Sequence, residues 1–276
     1  MKTIEFTKMV ASGNDFILMT ESVSKCQGVK VSEKSGLRNL AKKICDRHYG
    51  VGADGLLVIE KSKKADFRMR IFNADGSEAE MCGNGARCAA MFARENGISG
   101  NTAKFETMAG IIEAEVSGDI VKLKMSDPAD LRREVGLIIE GEEYRVHFVN
   151  TGVPHAIVFV EDLDSWDVKR LGREIRRHKA FAPKGTNADF VEVTRKNLLA
   201  VRTYERGVED ETLACGTGVT AAAIISAAVK DFKSPVTCLT KSGDKLKVYF
   251  RKTGDKFTDV YLEGGARRVF SGAYPR

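Results

Sequence analysis

The amino-acid sequence predicts an α+β fold of two pseudo-symmetric lobes, each a curved β-sheet around a central helix. Landmarks of the first half return in the same order in the second half of the 276-residue chain. Cysteine stands directly before Gly-x-Gly at Cys82 and again at Cys215. The offset between these cysteines equals that between Thr107 of "TMAGIIEAEV" and Thr240 of "TKSGDKLKVYF". Self-similarity at a fixed offset of about 130 residues indicates two equivalent structural units.

Two further pairs of segments support the repeat and set its boundaries. "SGNDFILM" at 12–19 is similar to "TGVPHAIVF" at 151–159, and "ADGLLVIE" at 53–60 is similar to "ADFVEVT" at 188–194. We therefore expect an N-terminal lobe over residues 1–127 that carries Cys82 and a C-terminal lobe over 128–264 that carries Cys215. The tail at 265–276 is a candidate to return to the first lobe.

Most of each half has the pattern of short β-strands. "FRMRIF", "HAIVFV", "LLAVRTY" and "KLKVYF" are rich in β-branched or aromatic residues and bounded by Gly, Asp or Asn, as strands are. One helix follows each cysteine, "GARCAAMFAREN" and "GVTAAAIISAAVKD", and the second is so uniformly apolar that we expect it to be buried on all sides. Two amphipathic helices, "GLRNLAKKICDR" and "DVKRLGREIRRHK", are predicted at equivalent places.

Composition and charge exclude several classes of protein. The chain is 43% hydrophobic and 30% charged with a net charge of +6, which is typical of globular proteins. Lysine and arginine are interspersed with acidic residues, so we expect no nucleic-acid partner. No apolar run approaches the roughly 18 residues of a membrane span, and the N-terminus lacks the apolar segment of a signal peptide. We therefore expect a cytoplasmic protein that does not bind a membrane.

The six cysteines predict reduced thiols, since a disulfide framework is typical of small, secreted, cysteine-dense chains. The spacings contain no C-x-x-C pair and fit zinc poorly, so no metal site is predicted. Cys26, Cys45, Cys88 and Cys238 are interpreted as small core residues. The two G-x-G segments lack the third glycine of a dinucleotide loop, so nucleotide binding is disfavoured.

A cysteine at the start of a helix has a chemical use. The unpaired N–H groups and the positive dipole end of a helix N-terminus favour a thiolate, and the same N–H groups can hold a carboxylate. Two such thiols on opposite sides of one carbon could remove a proton from one face and deliver one to the other. The repeat therefore predicts stereoinversion by two-base catalysis at Cys82 and Cys215.

The motifs that surround these cysteines carry a family resemblance. "GNDF", "GADGLL", "FNADGSEAEMCGNGARC", "GTNADF" and "YERGVEDETLACGTG" span nearly the full chain. In these motifs the sequence resembles the diaminopimelate epimerases, which interconvert LL- and meso-diaminopimelate in lysine and peptidoglycan precursor biosynthesis. The resemblance implies two pseudo-symmetric lobes with β-barrel-like sheets and a site in the cleft between them. It also implies a small-molecule amino-acid substrate, no cofactor and a homodimer.

The resemblance assigns roles to particular residues. Cys82 and Cys215 would be the two acid/base thiols. The α-carboxylate would be held at the two helix N-termini, by Gly83, Asn84, Gly216 and Thr217. The rest of the substrate would contact Asn14, Asn73, Asn187, Glu205 and Arg206, of which Arg206 is the natural partner of the distal carboxylate. His155 would support the site, either by orienting Glu205 or by capping a strand, and Asn14 and Asn73 could instead be turn formers.

The sequence departs from the family pattern at two positions. Val153 stands where many members have asparagine, and Gly55 where some have glutamine. Both departures concern substrate recognition, so a related racemase acting on proline, hydroxyproline or histidine stays an alternative. A non-enzymatic small-molecule binding protein that kept the two lobes is a further alternative, which replacement of either cysteine would have favoured.

Overall fold

The chain folds into two compact units in the computed structural model, which describes residues 3–21 and 34–275. Unit 1 comprises Met1–Leu123 and Gly264–Arg276, and unit 2 comprises Lys124–Glu263. Each unit is a mixed β-sheet with two α-helices in its described part. Cys26, predicted to be a core residue, lies outside the described residues.

Unit 1 has two helices and nine strands among its described residues. The helices are α1 (Lys34–Ile44) and α2 (Gly83–Glu95). The strands are β1 (Thr3–Ala11), β2 (Asn14–Thr20), β3 (Gly55–Glu60), β4 (Phe67–Asn73), β5 (Glu78–Ala79), β6 (Thr102–Thr107), β7 (Gly110–Ser117), β8 (Ile120–Lys124) and, from the C-terminal segment, β18 (Arg267–Pro275).

Strand pairing in unit 1 alternates antiparallel hairpins with parallel junctions. β1 lies between β18 and β2, antiparallel to both, and β2 runs parallel to β3. β4 is antiparallel to β3 and to the short β5, and it runs parallel to β6, which continues through β7 to β8 in antiparallel order. The C-terminal segment therefore supplies an edge partner for the first strand of the chain.

Unit 2 repeats this arrangement in one continuous segment. Its strands are β9 (Ala129–Ile139), β10 (Glu142–Asn150), β11 (Pro154–Phe159), β12 (Asn187–Arg195), β13 (Leu198–Glu205), β14 (Asp210–Thr212), β15 (Val236–Thr240), β16 (Lys245–Thr253) and β17 (Lys256–Gly265). Its helices are α3 (Val168–Arg177) and α4 (Gly216–Val229), with 3₁₀ turns at Leu163–Ser165 and Lys179–Phe181. β11 runs parallel to β12 and β13 parallel to β15, while the other neighbours are antiparallel. β18 in unit 1 thus takes the place that β9 has in unit 2.

The helix after each cysteine is the centre of its unit. Every residue of α4 from Gly218 to Ala227 is buried, as its apolar sequence predicted. Residues 84–93 of α2 are buried as well, and among them is a charged side chain, Arg87. The amphipathic helices pack one face only, α1 through Leu37, Ala41 and Ile44, and α3 through Leu171 and Ile175. In the described part of the chain no helix is both long and apolar enough to cross a membrane.

Candidate active site

Cys82 is the N-cap residue of α2. Its backbone is extended, with φ −145° and ψ 120°, and its Sγ accepts a hydrogen bond from the N–H of Gly85 at 3.5 Å. N-cap side chains are normally hydroxyl, amide or carboxylate groups that satisfy such orphan N–H groups. A sulfur in this place lies at the positive end of the helix dipole, which favours the thiolate. Gly83 and Asn84 are the first two residues of the same helix.

A chain of hydrogen bonds ties the start of α2 to the turn between β1 and β2. Buried Arg87 donates from one terminal nitrogen to Asn84 Oδ1 at 2.8 Å and to Ser12 Oγ at 2.7 Å. Asn84 Nδ2 donates to Asn14 Oδ1 at 2.6 Å, and Asn14 Nδ2 donates to Asp54 Oδ2 at 2.9 Å. Both amide oxygens accept bonds within this chain, and each amide nitrogen uses one of its two N–H groups in it, so the remaining bonding capacity of both side chains includes an N–H donor. This orientation suits a carboxylate ligand better than an ammonium group.

An ion cluster fixes the outer end of that chain. Arg47 donates to Asp15 Oδ1 at 2.8 Å and to Asp54 Oδ1 at 2.8 Å, and Lys8 Nζ lies 3.0 Å from Asp15 Oδ2. Partial burial alone would raise the pKa of Asp15, but the bonds from Arg47 and Lys8 outweigh it and lower the pKa to about 2. Asp54 is therefore held from the opposite side while it positions Asn14.

Asn73 ends β4 and is exposed. Its Nδ2 donates to Ser77 Oγ at 2.9 Å and its backbone N–H to Ser77 O at 2.8 Å. These bonds close the turn that Gly76 completes with φ +80°. Asn73 therefore acts as a turn former here, whereas the side chain of Asn14 bonds to Asn84 and Asp54 and not to the turn that precedes it.

Cys215 is the N-cap residue of α4 and is buried, with 8% of its surface exposed. Its Sγ lies 3.4 Å from the hydroxyl oxygen of Thr217, the second residue of the helix after Gly216. Burial, together with the nearby carboxylates of Glu205 and Asp189, raises the pKa of this thiol well above its usual 9.0. The surroundings of Cys215 therefore strongly favour the protonated thiol.

Glu205 ends β13 beside this thiol. Its Oε1 accepts a hydrogen bond from Thr212 Oγ1 at 2.6 Å, and its carboxylate also accepts from the Cys215 thiol. Burial raises the pKa of Glu205, and these two hydrogen bonds oppose that rise. A buried carboxylate with acceptor capacity is suited to an ammonium group of a ligand.

His155 contacts a side chain that the sequence did not indicate as its partner. The ring is fully buried and its Nδ1 lies 2.7 Å from Asp189 Oδ2, whereas Glu205 was the predicted partner. Asp189 Oδ1 accepts from Thr203 Oγ1 at 2.7 Å. Sequence reasoning missed Asp189 and Thr203, although the repeat carried a signal: Asp189 in "ADF" matches Asp54 in "ADG". In each unit the aspartate of this repeated segment therefore bonds to a predicted site residue, Asp54 to Asn14 and Asp189 to His155.

Asn187 and Arg206 are brought together in the same unit. Asn187 Oδ1 accepts from the backbone N–H of Arg206 at 2.7 Å, while its Nδ2 donates to Pro154 O at 3.1 Å. One terminal nitrogen of Arg206 donates to Lys184 O at 3.3 Å, and the side chain is partly exposed. Asn187 is therefore a neighbour of Arg206 that also restrains its backbone.

The predicted residues therefore form two groups. Unit 1 assembles the first group, which consists of Cys82, Gly83, Asn84 and Asn14, with Asn73 at the turn before the cysteine. Unit 2 assembles the second, which consists of Cys215, Gly216, Thr217, Glu205, Arg206, Asn187 and His155. Among residues 3–21 and 34–275, no group of three or more His, Cys, Asp or Glu side chains is arranged as a metal site.

Comparison with known proteins identifies the family. The family model described as diaminopimelate epimerase matches residues 6–130 and 147–269. The diaminopimelate epimerase of Aquifex aeolicus is 46% identical over 98% of this chain and 97% of its own length. That of Archaeoglobus fulgidus is 44% identical over 98% of this chain and 95% of its own.

The chain belongs to the diaminopimelate epimerase family.

Solved structures show the same fold at low sequence identity. A PhzF-family phenazine biosynthesis protein of Bacillus anthracis has a TM-score of 0.75 at 20% identity, and the match covers 100% of both chains. A hydroxyproline epimerase of Agrobacterium vitis has a TM-score of 0.67 at 16% identity, covering 99% of this chain and 92% of that one. These likenesses confirm the predicted α+β, epimerase-like fold.

Proposed function

We propose that this member of the diaminopimelate epimerase family interconverts LL- and meso-diaminopimelate by proton transfer between its substrate and two thiols. The observation that carries the proposal is the pair of N-cap cysteines, Cys82 and Cys215, each at the start of a buried helix. Membership of the family supports the substrate, and the two matched helix starts support the reaction type.

The helix N-termini supply a place for the substrate's reacting end. The N–H groups of Gly83 and Asn84 in α2, and of Gly216 and Thr217 in α4, belong to first helical turns. Such groups have no partner within the helix and attract anions. These N–H groups would stabilise the negative charge of a bound carboxylate. The α-proton then becomes easier to remove, because its removal adds negative charge next to that carboxylate.

The two thiols would share the proton transfer. One thiolate takes the α-proton while the other thiol gives its proton to the opposite face, so each turnover leaves the pair with its protonation exchanged. The raised pKa of Cys215 means that this thiol keeps its proton at neutral pH, which fits a proton donor. Cys82, capped by the N–H of Gly85, fits the thiolate. The reverse reaction uses the same two groups in exchanged roles.

Recognition of the rest of the substrate would use acceptors and donors separately. Glu205 offers only acceptor oxygens, which suits an ammonium group, whereas Arg206, Asn14 and Asn84 offer nitrogen donors, which suit a carboxylate. Asn73 and Asn187 would add amide contacts at the edge of this region. His155 acts through Asp189, which lies beside the start of α4.

The two departures from the family pattern fall on this recognition. A Cβ at position 55 would lie 2.8 Å from the carbonyl oxygen of Phe72, so the strand pairing of β3 with β4 leaves no room for a glutamine there. Val153 offers no side-chain hydrogen bond, but it follows Gly152, whose N–H donates to Asn150 Oδ1 at 3.0 Å. We therefore expect substrate recognition to depend little on a polar side chain at position 55 or 153.

We further propose that the protein works in the cytoplasm as a homodimer, without a cofactor, a nucleic-acid partner or a membrane. The family resemblance supports the dimer and the absence of a cofactor. The mass of the native particle, measured by analytical ultracentrifugation against the 30.3 kDa chain, tests the dimer directly.

The decisive experiment supplies LL-diaminopimelate to the purified protein in heavy water. We expect the meso isomer to form with deuterium at the inverted carbon, with activity kept after chelator treatment. Cys82→Ala and Cys215→Ala should each abolish inversion, because each direction requires a base and an acid. Loss of activity on chelation with recovery on metal addition would contradict the two-thiol mechanism. Faster turnover of proline, hydroxyproline or histidine would favour the related racemases, and binding without turnover would favour a non-enzymatic protein.

A further inference from the structure

Each unit places a largely buried arginine–glutamate pair on the hairpin that leads to its cysteine, and in unit 1 the arginine, Arg70, also donates to Glu60 Oε1 at 3.2 Å. In unit 1, Arg70 Nε donates to Glu78 Oε1 at 2.6 Å, with 8% of each side chain exposed. In unit 2, Arg202 donates to both oxygens of Glu211, from Nε at 2.7 Å and from a terminal nitrogen at 3.1 Å. The side chain of Glu211 is 2% exposed and that of Arg202 is 17% exposed.

The two pairs occupy the same register of the two sheets. Glu78 lies opposite Phe72 across β4 and β5, and Glu211 lies opposite Tyr204 across β13 and β14. Each arginine precedes the aromatic residue by two positions, and residues two apart in a strand share a face.

The loops between these partners differ in length, but the approach to the cysteine does not. Five residues separate Phe72 from Glu78, and six separate Tyr204 from Glu211. Each glutamate nevertheless stands four residues before its cysteine. The feature that both units keep is therefore the distance along the chain from the ion pair to the thiol.

In unit 2 the pair connects to the thiol through a short series of contacts. Thr212, the neighbour of Glu211, donates its hydroxyl to Glu205 at 2.6 Å, and Glu205 accepts a hydrogen bond from Cys215. Lys241 Nζ lies 2.7 Å from Glu211 Oε2 and holds the carboxylate from its other side. A shift of the short strand β14 would therefore displace the group that contacts the sulfur.

A buried ion pair is a weak source of stability, because desolvation of the two charges offsets their attraction and apolar residues of similar volume often serve as well. Its strength is geometric, because a planar guanidinium fixes the direction of the carboxylates it contacts. In unit 2 the Arg202 fork holds both oxygens of Glu211, and in unit 1 Arg70 holds Glu78 and Glu60 together. β5 and β14 are only two and three residues long, so their backbone pairing restrains little of the approach to each cysteine.

We propose that Arg70–Glu78 and Arg202–Glu211 are a duplicated pair of positioning residues that hold Cys82 and Cys215 in place for proton transfer. They act through the thiols and do not contact the substrate. The inference rests on the proposed function for its kinetic consequence, whereas the placement of each thiol can be measured without turnover.

The test replaces one glutamate at a time and reads the two cysteines separately. The variants are Glu78→Gln and Glu211→Gln, with Glu140→Gln as the matched control, because Glu140 pairs with Arg170 at the exposed surface of unit 2. Iodoacetamide alkylation of Cys82 and Cys215 is followed by peptide mass spectrometry, and kcat and KM are measured with LL-diaminopimelate. Thermal unfolding of every variant is recorded beside these measurements.

We expect each change to act on the thiol of its own unit. Glu211→Gln should alter the alkylation rate of Cys215 by about threefold or more and leave that of Cys82 unchanged, and Glu78→Gln should do the reverse. In both, kcat should fall by about tenfold or more while KM stays within about twofold, because small displacements of a reacting group cost rate more than binding. The control should match the unmodified protein.

Other results would overturn the inference. Equal changes at both cysteines, or unchanged kcat and alkylation in a folded variant, would make the pairs purely structural. If a glutamine variant does not fold, Arg70→Lys and Arg202→Lys, which keep the charge and remove the fork, give the same readouts, and failure of these to fold also counts against positioning. Absence of turnover in the unmodified protein would contradict the proposed function alone, since the alkylation pattern would still decide the placement.

Discussion

Alanine at Gly218 should destabilise unit 2, whereas alanine at the equivalent Gly85 should not destabilise unit 1. Both glycines are the third residue of the helix that follows a cysteine. A Cβ at position 218 would lie 2.2 Å from Asp189 Oδ1 and 3.1 Å from Thr203 Oγ1. A Cβ at position 85 would meet Leu57 Cδ2 at 3.5 Å, which is an ordinary van der Waals contact.

The magnitude follows from what surrounds the new methyl group. Asp189 is fully buried and cannot easily move, since His155 and Thr203 each hold one of its oxygens at 2.7 Å. Overpacking of this kind costs about 1–3 kcal/mol, and replacing glycine by alanine in a helix returns about 0.5–1 kcal/mol. A 2.2 Å approach to a fixed oxygen belongs to the upper half of the overpacking range, about 2–3 kcal/mol. With about 1 kcal/mol returned by the helix, Gly218→Ala should lose about 1–2 kcal/mol, and Gly85→Ala should gain up to about 1 kcal/mol.

Differential scanning calorimetry of the two variants checks this difference in sign. About 1 kcal/mol shifts the Tm of a unit of this size by about 2–4 °C, so Gly218→Ala should melt about 2–8 °C below the unmodified protein. Gly85→Ala should melt at the same temperature or slightly above. We also expect kcat of Gly218→Ala to fall, because displacement of Asp189 moves His155. Equal shifts in the two variants, or an unchanged Tm for Gly218→Ala, would refute the reasoning.

Three further predictions concern titration and recognition. Burial raises the pKa of the Cys88 thiol from 9.0 to about 12, so the unfolded chain ionises first and stability falls as pH rises from 9 towards 12. One such thiol contributes about 1.4 kcal/mol per pH unit in that window. The decrease in unfolding free energy between about pH 8 and about pH 10 should therefore be about 1 kcal/mol smaller in Cys88→Ala than in the unmodified protein. Burial raises the pKa of Glu205, so kcat/KM should decrease as pH falls through a value above that of an ordinary carboxylate, and Glu205→Gln should abolish this acid limb in the pH profile. Arg206→Ala should reduce kcat/KM for LL-diaminopimelate far more than Val153→Asn changes it, and similar effects of both would contradict the role of Arg206 at the distal carboxylate.

Much of the fold could be predicted from the sequence because its signals are local or repeated. The helix after each cysteine was predicted from its small and apolar residues, and α1 and α3 from their amphipathic patterns. The N-cap position of the two cysteines could be predicted from the same local signals, because it depends only on the Gly-x-Gly and the helix that follow and not on distant contacts. The family motifs then gave the candidate residues around them.

The partners of those residues could not be predicted, because they are brought together by strand pairing between distant segments. His155 was expected to orient Glu205 or to cap a strand, and the parallel pairing of β11 with β12 brings its ring to Asp189, which the sequence did not indicate. Arg87 appears in the sequence as one more charge on a helix, and only the packing of α2 shows that it is buried against Ser12 and Asn84.

The sequence by itself determined the repeat, the fold class and the two thiols at helix starts, because these depend on composition and spacing within short segments. Only the tertiary structure decided the state of the groups around them. Burial raises the pKa of Cys215, and the carboxylates of Glu205 and Asp189, contributed by different strands, raise it further. In unit 1 the buried charged side chain of the corresponding helix is Arg87. The physical reason is that a pKa depends on burial and on nearby charges in space, and two segments of nearly the same pattern acquire different surroundings when their sheets fold.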